Sequence, residues 1–255
     1  MDLGLRGKVA LVTGASAGIG EAVALSLAAE GVRLAVAARR LELLNEVAAR
    51  AQAAGAPEVR AFAFDQSSAE SIAQLCTEVA AQCGPIEILV VNGGGPRPGT
   101  FSQMTPVDWD GAYALTLQSA LRLVTAVLPG MRANEWGRIV ALESVTVKQP
   151  IPGLVLSNAF RGAVAAALKS LASEVAAEGI TVNTIATGLV ATDRFRKLYD
   201  TPEKVATAVA AIPMGRPATP AEYAPLVTFL CGEPARYVTG QTISIDGGLT
   251  AGVFG

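Results

Sequence analysis

The sequence contains no histidine among its 255 residues, and this absence removes several kinds of catalytic chemistry. A Ser-His-Asp triad, a Cys-His nucleophile pair, an HExxH zinc site and a histidine proton shuttle all require the missing side chain. Proton transfer near neutral pH would instead have to use tyrosine, lysine, cysteine, a perturbed carboxylate or water.

Charged residues are also scarce, at 16% of the chain against about 25% in an average soluble domain. Hydrophobic residues make up 51%, which is enough for a large core. The shortage of charge indicates that part of the surface is buried between subunits. The 20 basic and 22 acidic residues leave a net charge of −2, which provides no basic surface for nucleic acid.

Only three cysteines are present, Cys76, Cys83 and Cys231, and their spacing matches no CxxC motif or metal-ligand pattern. We expect free thiols in a reducing cytosol and no metal site. No charged segment followed by an apolar run opens the chain, and no stretch of about 18 consecutive apolar residues occurs in it. We therefore expect a cytoplasmic location and no membrane partner.

Apolar runs of strand length alternate with longer segments of helical periodicity along the chain. The predicted strands lie at 8–13, 33–38, 59–64, 86–92, 138–142, 181–186 and 242–245. The predicted helices lie at 18–30, 41–54, 68–82, 106–128, 157–178, 203–211 and 220–231. This alternation is typical of a parallel sheet covered on both faces. It predicts one α/β domain over 1–255, a single doubly wound parallel sheet of Rossmann type with about seven strands and helices on both faces.

A glycine-rich segment, TGASAGIG at 13–20, joins the first predicted strand to the first predicted helix. Gly14, Gly18 and Gly20 allow a tight turn and let a pyrophosphate approach the helix N-terminus, where free N–H groups favour anions. A tight turn that binds nothing would also explain the glycines. The order of strand, loop and helix favours nucleotide binding over that explanation.

The second predicted strand ends at Ala38 and is followed by Arg39 and Arg40. An NAD site usually has an acidic residue here that binds the ribose 2′-hydroxyl. Arginine forms charge-assisted bonds to phosphate, so the basic pair favours the 2′-phosphate of NADP(H) over NAD(H). Solvated arginines at the start of a helix are the alternative interpretation.

Motifs across nearly the whole chain resemble those of the short-chain dehydrogenase/reductase family, particularly its 3-oxoacyl-(acyl-carrier-protein) reductase-like members. TGASAGIG matches the family's TGxxxGIG, and Asp65 matches the aspartate that contacts the adenine. The other matching segments are NGG at 92–94, LP at 128–129 with Met131, GRIV at 137–140, GITVN at 179–183, MGR at 214–216, FL at 229–230, VTGQ at 238–241 and DGG at 246–248. The resemblance implies hydride transfer to or from a nicotinamide cofactor.

The resemblance also implies which residues bind the cofactor, which we expect to be NADP(H). They are Gly14, Ser16, Ala17, Gly18, Ile19, Gly20, Arg39, Arg40, Asp65, Gln66, Asn92, Gly93, Gly94, Arg161, Gly188 and Thr192.

The family's catalytic residues are only partly kept. Ser144 stands at the position of the serine that orients the substrate carbonyl. Ser157 replaces the general acid/base tyrosine, Arg161 replaces the lysine four residues later, and Thr116 replaces the asparagine that supports a water relay. These four positions are the candidate catalytic residues. A serine hydroxyl is far less acidic than a phenol, and arginine does not lose its proton, so the pair cannot reproduce the usual proton transfer.

Other groups could move the proton. Tyr113 lies three residues before Thr116 on the same predicted helix, and Tyr199 lies beyond the sixth predicted strand. Lys148 follows Ser144 by four residues, and desolvation there would lower its pKa. Packing or surface roles would also explain all three residues. Ordered water, or no donor at all, completes the alternatives.

Basic residues recur on segments that the fold gathers at the carboxyl edge of the sheet, and some fall in the family's substrate lid, near 190–215. They are Arg97, Lys148, Arg161, Arg194, Arg196 and Lys197. Such a cluster would suit an anionic substrate, an acyl carrier or the cofactor phosphates, and solvated charge is the plain alternative.

Two functions follow from these observations. The first is an NADP(H)-dependent oxidoreductase with a non-standard proton donor, acting on a small carbonyl or acyl substrate. The second is a catalytically silent NADP(H)-binding sensor, scaffold or partner subunit. In either case the resemblance and the low charge imply a homotetramer, with the helices at 106–128 and 157–178 forming the main interface.

Overall fold

The computed structural model describes residues 1–252, so residues 253–255 of the predicted domain lie outside the described residues. Its strands are β1 Val9–Thr13, β2 Arg33–Ala38, β3 Val59–Ala63, β4 Ile88–Val91, β5 Gly137–Ser144, β6 Ile180–Thr187 and β7 Thr242–Ile245. They form one parallel sheet of seven strands in the order β3-β2-β1-β4-β5-β6-β7. The predicted doubly wound Rossmann-type α/β fold is confirmed.

Nine α-helices connect these strands within residues 1–252. They are α1 Gly18–Ala29, α2 Leu41–Ala54, α3 Ala69–Cys83, α4 Pro106–Ala112, α5 Ser119–Ala133, α6 Val155–Val175, α7 Asp193–Leu198, α8 Pro202–Ala210 and α9 Pro220–Cys231. Helices α1, α2 and α9 pack on one face of the sheet, and α3, α5 and α6 pack on the other.

Two hydrophobic cores result, because successive strand residues point to opposite faces. In β1, Ala10 and Val12 belong to the core under α1, whereas Val9 and Leu11 belong to the core under α3. Every residue of β1 is buried. This double burial explains why the strands read as continuous apolar runs rather than as alternating ones.

The three cysteines are free and buried in these cores. Burial raises the pKa of the Cys76 thiol to about 11 and that of Cys231 to about 12. Both thiols therefore stay protonated at neutral pH and are poor nucleophiles.

The longest helical run joins α4 to α5 through a π-helical segment, Tyr113–Gln118. The sequence places the end of this run at Pro129, but α5 continues to Ala133 with Pro129 inside it. Proline removes one backbone hydrogen bond there. The fully buried side chain of Met131 holds the last turn on the core in spite of that loss.

The run Pro106–Ala133 has 28 residues and a mean hydropathy of 1.3, which by length and composition alone is enough to cross a membrane. In this fold α5 packs against α3, β4 and β5, and its apolar residues belong to the core of the sheet. A core helix passes the same test, so the run is only weak support for a membrane span.

The strand order reverses between β1 and β4, which pair side by side although three helices separate them in sequence. In doubly wound sheets, ligands bind in the crevice at the carboxyl ends of strands at such a point. The segments that follow β1 and β4 are therefore the expected centre of a binding site.

Candidate active site

The glycine-rich loop after β1 leads directly into α1 and exposes the N-terminus of this helix. Gly14 and Gly18 have φ angles of +61° and +64°, a backbone region that side-chain-bearing residues avoid. Ala17 precedes the helix in an extended conformation and has no side chain that could cap it. No side chain at the N-cap position covers the first N–H groups of α1, which is where the sequence predicts an anion.

Gly20 is required because the loop folds tightly against the end of β4. A Cβ at Gly20 would lie 2.3 Å from the carbonyl oxygen of Gly14 and 2.6 Å from Nδ2 of Asn92. Asn92 donates from that nitrogen to the Gly14 carbonyl at 3.2 Å. Thr13 Oγ1 accepts from the Asn92 N–H at 2.9 Å and donates to the Asn92 carbonyl at 2.7 Å. The structure therefore joins two of the predicted cofactor segments.

Arg39 and Arg40 are exposed at the end of β2, beside the glycine-rich loop. Nη2 of Arg40 lies 3.4 Å from Oγ of Ser16, a residue of that loop. The preceding residue, Ala38, offers no carboxylate. The predicted basic pair and the predicted loop residue Ser16 thus meet at one end of the crevice.

Asp65 and Gln66 follow β3 but have different surroundings. Asp65 is exposed and accepts from both the N–H and the hydroxyl of Ser67, and these hydrogen bonds lower the pKa of its carboxyl. Gln66 turns inward and donates to the Leu115 carbonyl at 3.1 Å. A Cβ on Gly93 would lie 2.0 Å from Oε1 of Gln66. Gln66 therefore ties the loop after β4 to the π-helical segment.

The two candidate catalytic serines are held by Thr146, which lies in the turn after β5. Oγ of Ser144 accepts from the Thr146 N–H at 3.2 Å. Oγ of Ser157 lies 3.5 Å from Oγ1 of Thr146, and Ser157 is buried. The Ser157 hydroxyl is therefore buried and has Thr146 as its hydrogen-bond partner.

Arg161 pairs with Glu143, a residue that sequence reasoning passed over. Nη1 of Arg161 donates to Oε2 of Glu143 at 2.8 Å, and the side chains are only 12% and 4% exposed. Burial raises the pKa of the Glu143 carboxyl, and the charge and hydrogen bond of Arg161 oppose that rise. The sequence feature that could have identified Glu143 is its position as an acidic residue in a mostly apolar strand, directly before Ser144. The positive charge that would replace the family's lysine is therefore neutralised.

Thr116, the fourth candidate catalytic residue, lies in the π-helical segment and is buried. Its hydroxyl has no hydrogen-bond partner among residues 1–252. The neighbouring Ser119 donates to the Leu115 carbonyl at 2.6 Å. The structure thus brings Thr116 into the region of Gln66, but among residues 1–252 its hydroxyl has no hydrogen-bonded neighbour through which a proton could be relayed.

Of the alternative proton donors, the two tyrosines have other contacts. Tyr113 packs against Phe160, with ring centroids 6.0 Å apart, and its hydroxyl accepts from Gln118. Tyr199 packs against Phe195, and burial raises the pKa of its phenol. Lys148 lies half-buried directly after the turn that holds Thr146.

A second buried phenol, Tyr223 on α9, was not predicted as a site residue. Its hydroxyl lies 2.6 Å from Oγ1 of Thr187, the last residue of β6. Burial raises the pKa of this phenol far above its usual range. Tyr223 is inside the core under α1 and does not replace the missing acid/base tyrosine.

The segment after β6 reaches both ends of the crevice. Gly188 donates its N–H to the Ile245 carbonyl at 2.9 Å. Thr192 caps α7, and its Cγ2 would lie 3.1 Å from a Cβ on Gly18. The two predicted cofactor residues of this segment therefore lie against β7 and against the glycine-rich loop.

Half of the predicted cluster of basic residues is neutralised. Arg97 forms a two-point pair with Asp108, at 2.6 Å and 2.8 Å, and Arg196 pairs with Asp193. With Arg161 paired to Glu143, three of the six cations have carboxylate partners. The Arg97–Asp108 and Arg161–Glu143 pairs depend on how separate segments fold together, so the sequence could not reveal them, whereas Asp193 and Arg196 lie three residues apart on one helix.

Comparison with known proteins agrees with this geometry. Residues 14–250 match the family model described as Enoyl-(Acyl carrier protein) reductase. Nodulation protein G of Azospirillum brasilense is 36% identical over 247 residues, covering 95% of this chain and 98% of that protein. The 3-oxoacyl-[acyl-carrier-protein] reductase FabG of Vibrio cholerae is 35% identical over 252 residues, covering 97% and 99%. L-sorbose reductase from Gluconobacter frateurii, solved with NADPH and L-sorbose, gives a TM-score of 0.93 at 31% identity, covering 99% and 100%.

Fold and crevice together define a Rossmann-type oxidoreductase scaffold. The chain belongs to the short-chain dehydrogenase/reductase family and is similar to its 3-oxoacyl-(acyl-carrier-protein) reductases.

Proposed function

We propose that this protein is an NADP(H)-dependent oxidoreductase that interconverts a small carbonyl or acyl compound and its alcohol without the family's tyrosine. The exposed N-terminus of α1 carries the proposal, since it lies between glycines that leave room for a pyrophosphate and close to two exposed arginines. The solved relative with NADPH supports the same cofactor. The predicted cofactor residues other than Arg161, which pairs with Glu143, keep their proposed roles, with Arg39 and Arg40 on the 2′-phosphate.

The residues of this chain suggest how the reaction would run. When bound, NADPH supplies the hydride. Because Oγ of Ser144 already accepts from the Thr146 N–H, its hydroxyl can donate a hydrogen bond that orients a carbonyl oxygen while it keeps its own proton. The proton that completes the alcohol comes from water or from Lys148, since Tyr113 and Tyr199 have other contacts. Loss of a positioned acid costs about 10²–10⁴ in rate, so turnover should be slow.

The Arg39→Ala, Arg40→Ala double variant should bind NADPH about 10- to 100-fold more weakly than wild type, because it loses charge-assisted bonds to the 2′-phosphate. Binding of NADH should not change, so comparing the two cofactors by fluorescence titration separates this role from a general loss of structure. Arg50→Ala is the control, since Arg50 also lies exposed on this side of the fold but pairs with Glu21. Equal losses for NADH and NADPH would contradict the assignment.

The second candidate function is that of a silent NADP(H)-binding protein, a sensor, scaffold or partner subunit. Two contacts favour this function. Ser157 is buried against Thr146, and Arg161 is neutralised by Glu143, so neither residue is available for catalysis. Both candidates require cofactor binding, but only the first requires substrate.

Ser144→Ala distinguishes the two functions. We expect wild type to oxidise NADPH slowly in the presence of a panel of ketones, aldehydes, oxo acids and 3-oxoacyl thioesters, and the variant to lose this activity while binding NADPH normally. If no compound of the panel raises the rate of NADPH oxidation by wild type, the silent protein is favoured. Wild type that fails to bind NADPH would contradict both functions.

We further propose a single domain, a substrate lid near 190–215, a cytoplasmic location and a homotetramer. An apolar groove of about 310 Å³ between α5 and α6 supports the assembly. The groove is lined by Leu121, Val124, Thr125, Leu128, Pro129, Arg132, Ala167, Leu168 and Leu171. Both helices belong to the regions from which the sequence predicts the main interface.

A further inference from the structure

The guanidinium groups of Arg161 and Arg194 converge above Gly95, in the loop after β4. A Cβ placed on Gly95 would lie 2.5 Å from Nη2 of Arg194 and 3.2 Å from Nη2 of Arg161. Both groups thus reach into the space that a side chain at position 95 would fill. Since Arg161 lies on α6 and Arg194 on α7, two separate elements bring like charges to one point.

Only one of these two charges is compensated. Glu143 neutralises Arg161, whereas Arg194 forms neither an ion pair nor a side-chain hydrogen bond within the part of the chain that the structure describes. Although Arg194 is exposed as a residue, partial loss of solvent around its guanidinium group and then the charge of Arg161 lower its pKa. An arginine remains protonated at neutral pH all the same. The point above Gly95 therefore carries a net positive charge that a bound anion would neutralise.

The arginine pair is attached to the segments that form the candidate active site. Gly95 directly follows the Asn92-Gly93-Gly94 loop, and Arg194 follows Thr192, which contacts Gly18. The carboxylate partner of Arg161 directly precedes Ser144. A ligand held between the two arginines would thus lie where substrate, rather than solvent, is expected.

We propose that Arg161 and Arg194 bind a carboxylate of the substrate, which makes the substrate an oxo acid. This inference rests on the proposed function. Planar guanidinium groups match carboxylate oxygens with paired hydrogen bonds, and two of them approaching from different helices hold such a group from two sides. The absence of a side chain at Gly95 leaves room for the two guanidinium groups to approach this point.

A phosphate oxygen of the cofactor offers similar chemistry, so the experiment has to separate the two sources. The exposed N-terminus of α1 and the Arg39–Arg40 pair already provide positions for the cofactor's phosphates at the other end of the crevice. This leaves the arginine pair above Gly95 for an anion on the substrate.

Calorimetric titration in the presence of NADP⁺ tests the proposal without turnover, because no hydride is available for reduction. The probes are 2-oxobutanoate, acetoacetate and 4-oxopentanoate, each with its methyl ester as the uncharged match. We expect at least one acid to bind wild type about 10-fold or more tightly than its ester, as charge-assisted hydrogen bonds would give. Arg194→Gln should abolish that difference.

Arg196→Gln is the matched control, since it makes the same change on the same helix at a residue that is paired with Asp193. It should retain the preference for the acid. The proposal is overturned if no acid binds wild type more tightly than its ester, or if Arg194→Gln keeps the preference. Weaker NADPH binding by Arg194→Gln with unchanged acid binding would assign the pair to the cofactor instead.

The same titrations separate this proposal from the proposed function. Wild type that binds an oxo acid through Arg194 but not NADPH would leave the anion site standing and refute the oxidoreductase. Wild type that binds NADPH and favours no acid over its ester would refute only the anion site.

Discussion

Glu143→Gln is expected to lower the free energy of unfolding by about 3–5 kcal/mol, because removing one partner of a buried ion pair leaves the other charge uncompensated. The two side chains are 4% and 12% exposed, so water cannot replace the lost carboxylate around Arg161. Equilibrium unfolding in urea, followed by circular dichroism at neutral pH, measures the change.

Two controls show whether the loss comes from the buried charge. The double variant Glu143→Leu, Arg161→Met should recover most of the stability, since apolar replacement of a buried pair is often neutral or stabilising. Asp193→Asn breaks an exposed pair, in which the side chains are 66% and 69% exposed, and should change stability little. If Glu143→Gln costs no more than Asp193→Asn, the buried pair does not contribute as argued.

The triple variant Glu143→Ser, Ser157→Tyr, Arg161→Lys is expected to raise substrate-dependent NADPH oxidation by about 10²–10⁴-fold, the usual contribution of a positioned general acid. Tyrosine restores an acidic hydroxyl, and a lysine four residues later that no longer pairs with a carboxylate lowers the pKa of the phenol. Since this lysine is partly buried and uncompensated, the variant should be less stable than wild type and is assayed where circular dichroism shows it folded. Steady-state assays with the substrate that wild type reduces best, or with acetoacetyl-CoA if it reduces none, measure the gain.

The change at Glu143 is essential to this design. In the double variant Ser157→Tyr, Arg161→Lys, the carboxylate of Glu143 would still neutralise the new ammonium group, so we expect a smaller gain. Replacing Ser157 with phenylalanine in the triple background supplies the ring without the hydroxyl and serves as the control. Equal rates in the tyrosine and phenylalanine versions would rule out the phenol as the proton donor.

Local signals in the sequence predict most of the fold. The second strand, Arg33–Ala38, and the helix after it, Leu41–Ala54, begin and end where apolar runs and glycines place them. The end of α5 differs, because the burial of Met131 outweighs the local effect of Pro129. Such a contact depends on the folded core, so the segment alone does not reveal it.

The candidate site divides in the same way. The glycine-rich loop and Arg39–Arg40 could be predicted, because each is continuous in sequence and carries its own chemistry. The Glu143–Arg161 pair could not, since it depends on which face of β5 the carboxylate occupies and on how α6 packs there. Likewise, the sequence does not show that Arg97 pairs with Asp108, because the two residues are separated by a loop and a helix start that meet only in the folded protein.

The buried pair also has an evolutionary consequence. Natural proteins lie only a little above the stability that their function needs, so a single substitution that costs several kcal/mol tends to be eliminated by selection. Changing Glu143 alone would incur that cost, whereas lysine at position 161 would keep a charge partner for this carboxylate. Selection for stability therefore retains Glu143, and a lysine that arises at position 161 would be neutralised by it from the start.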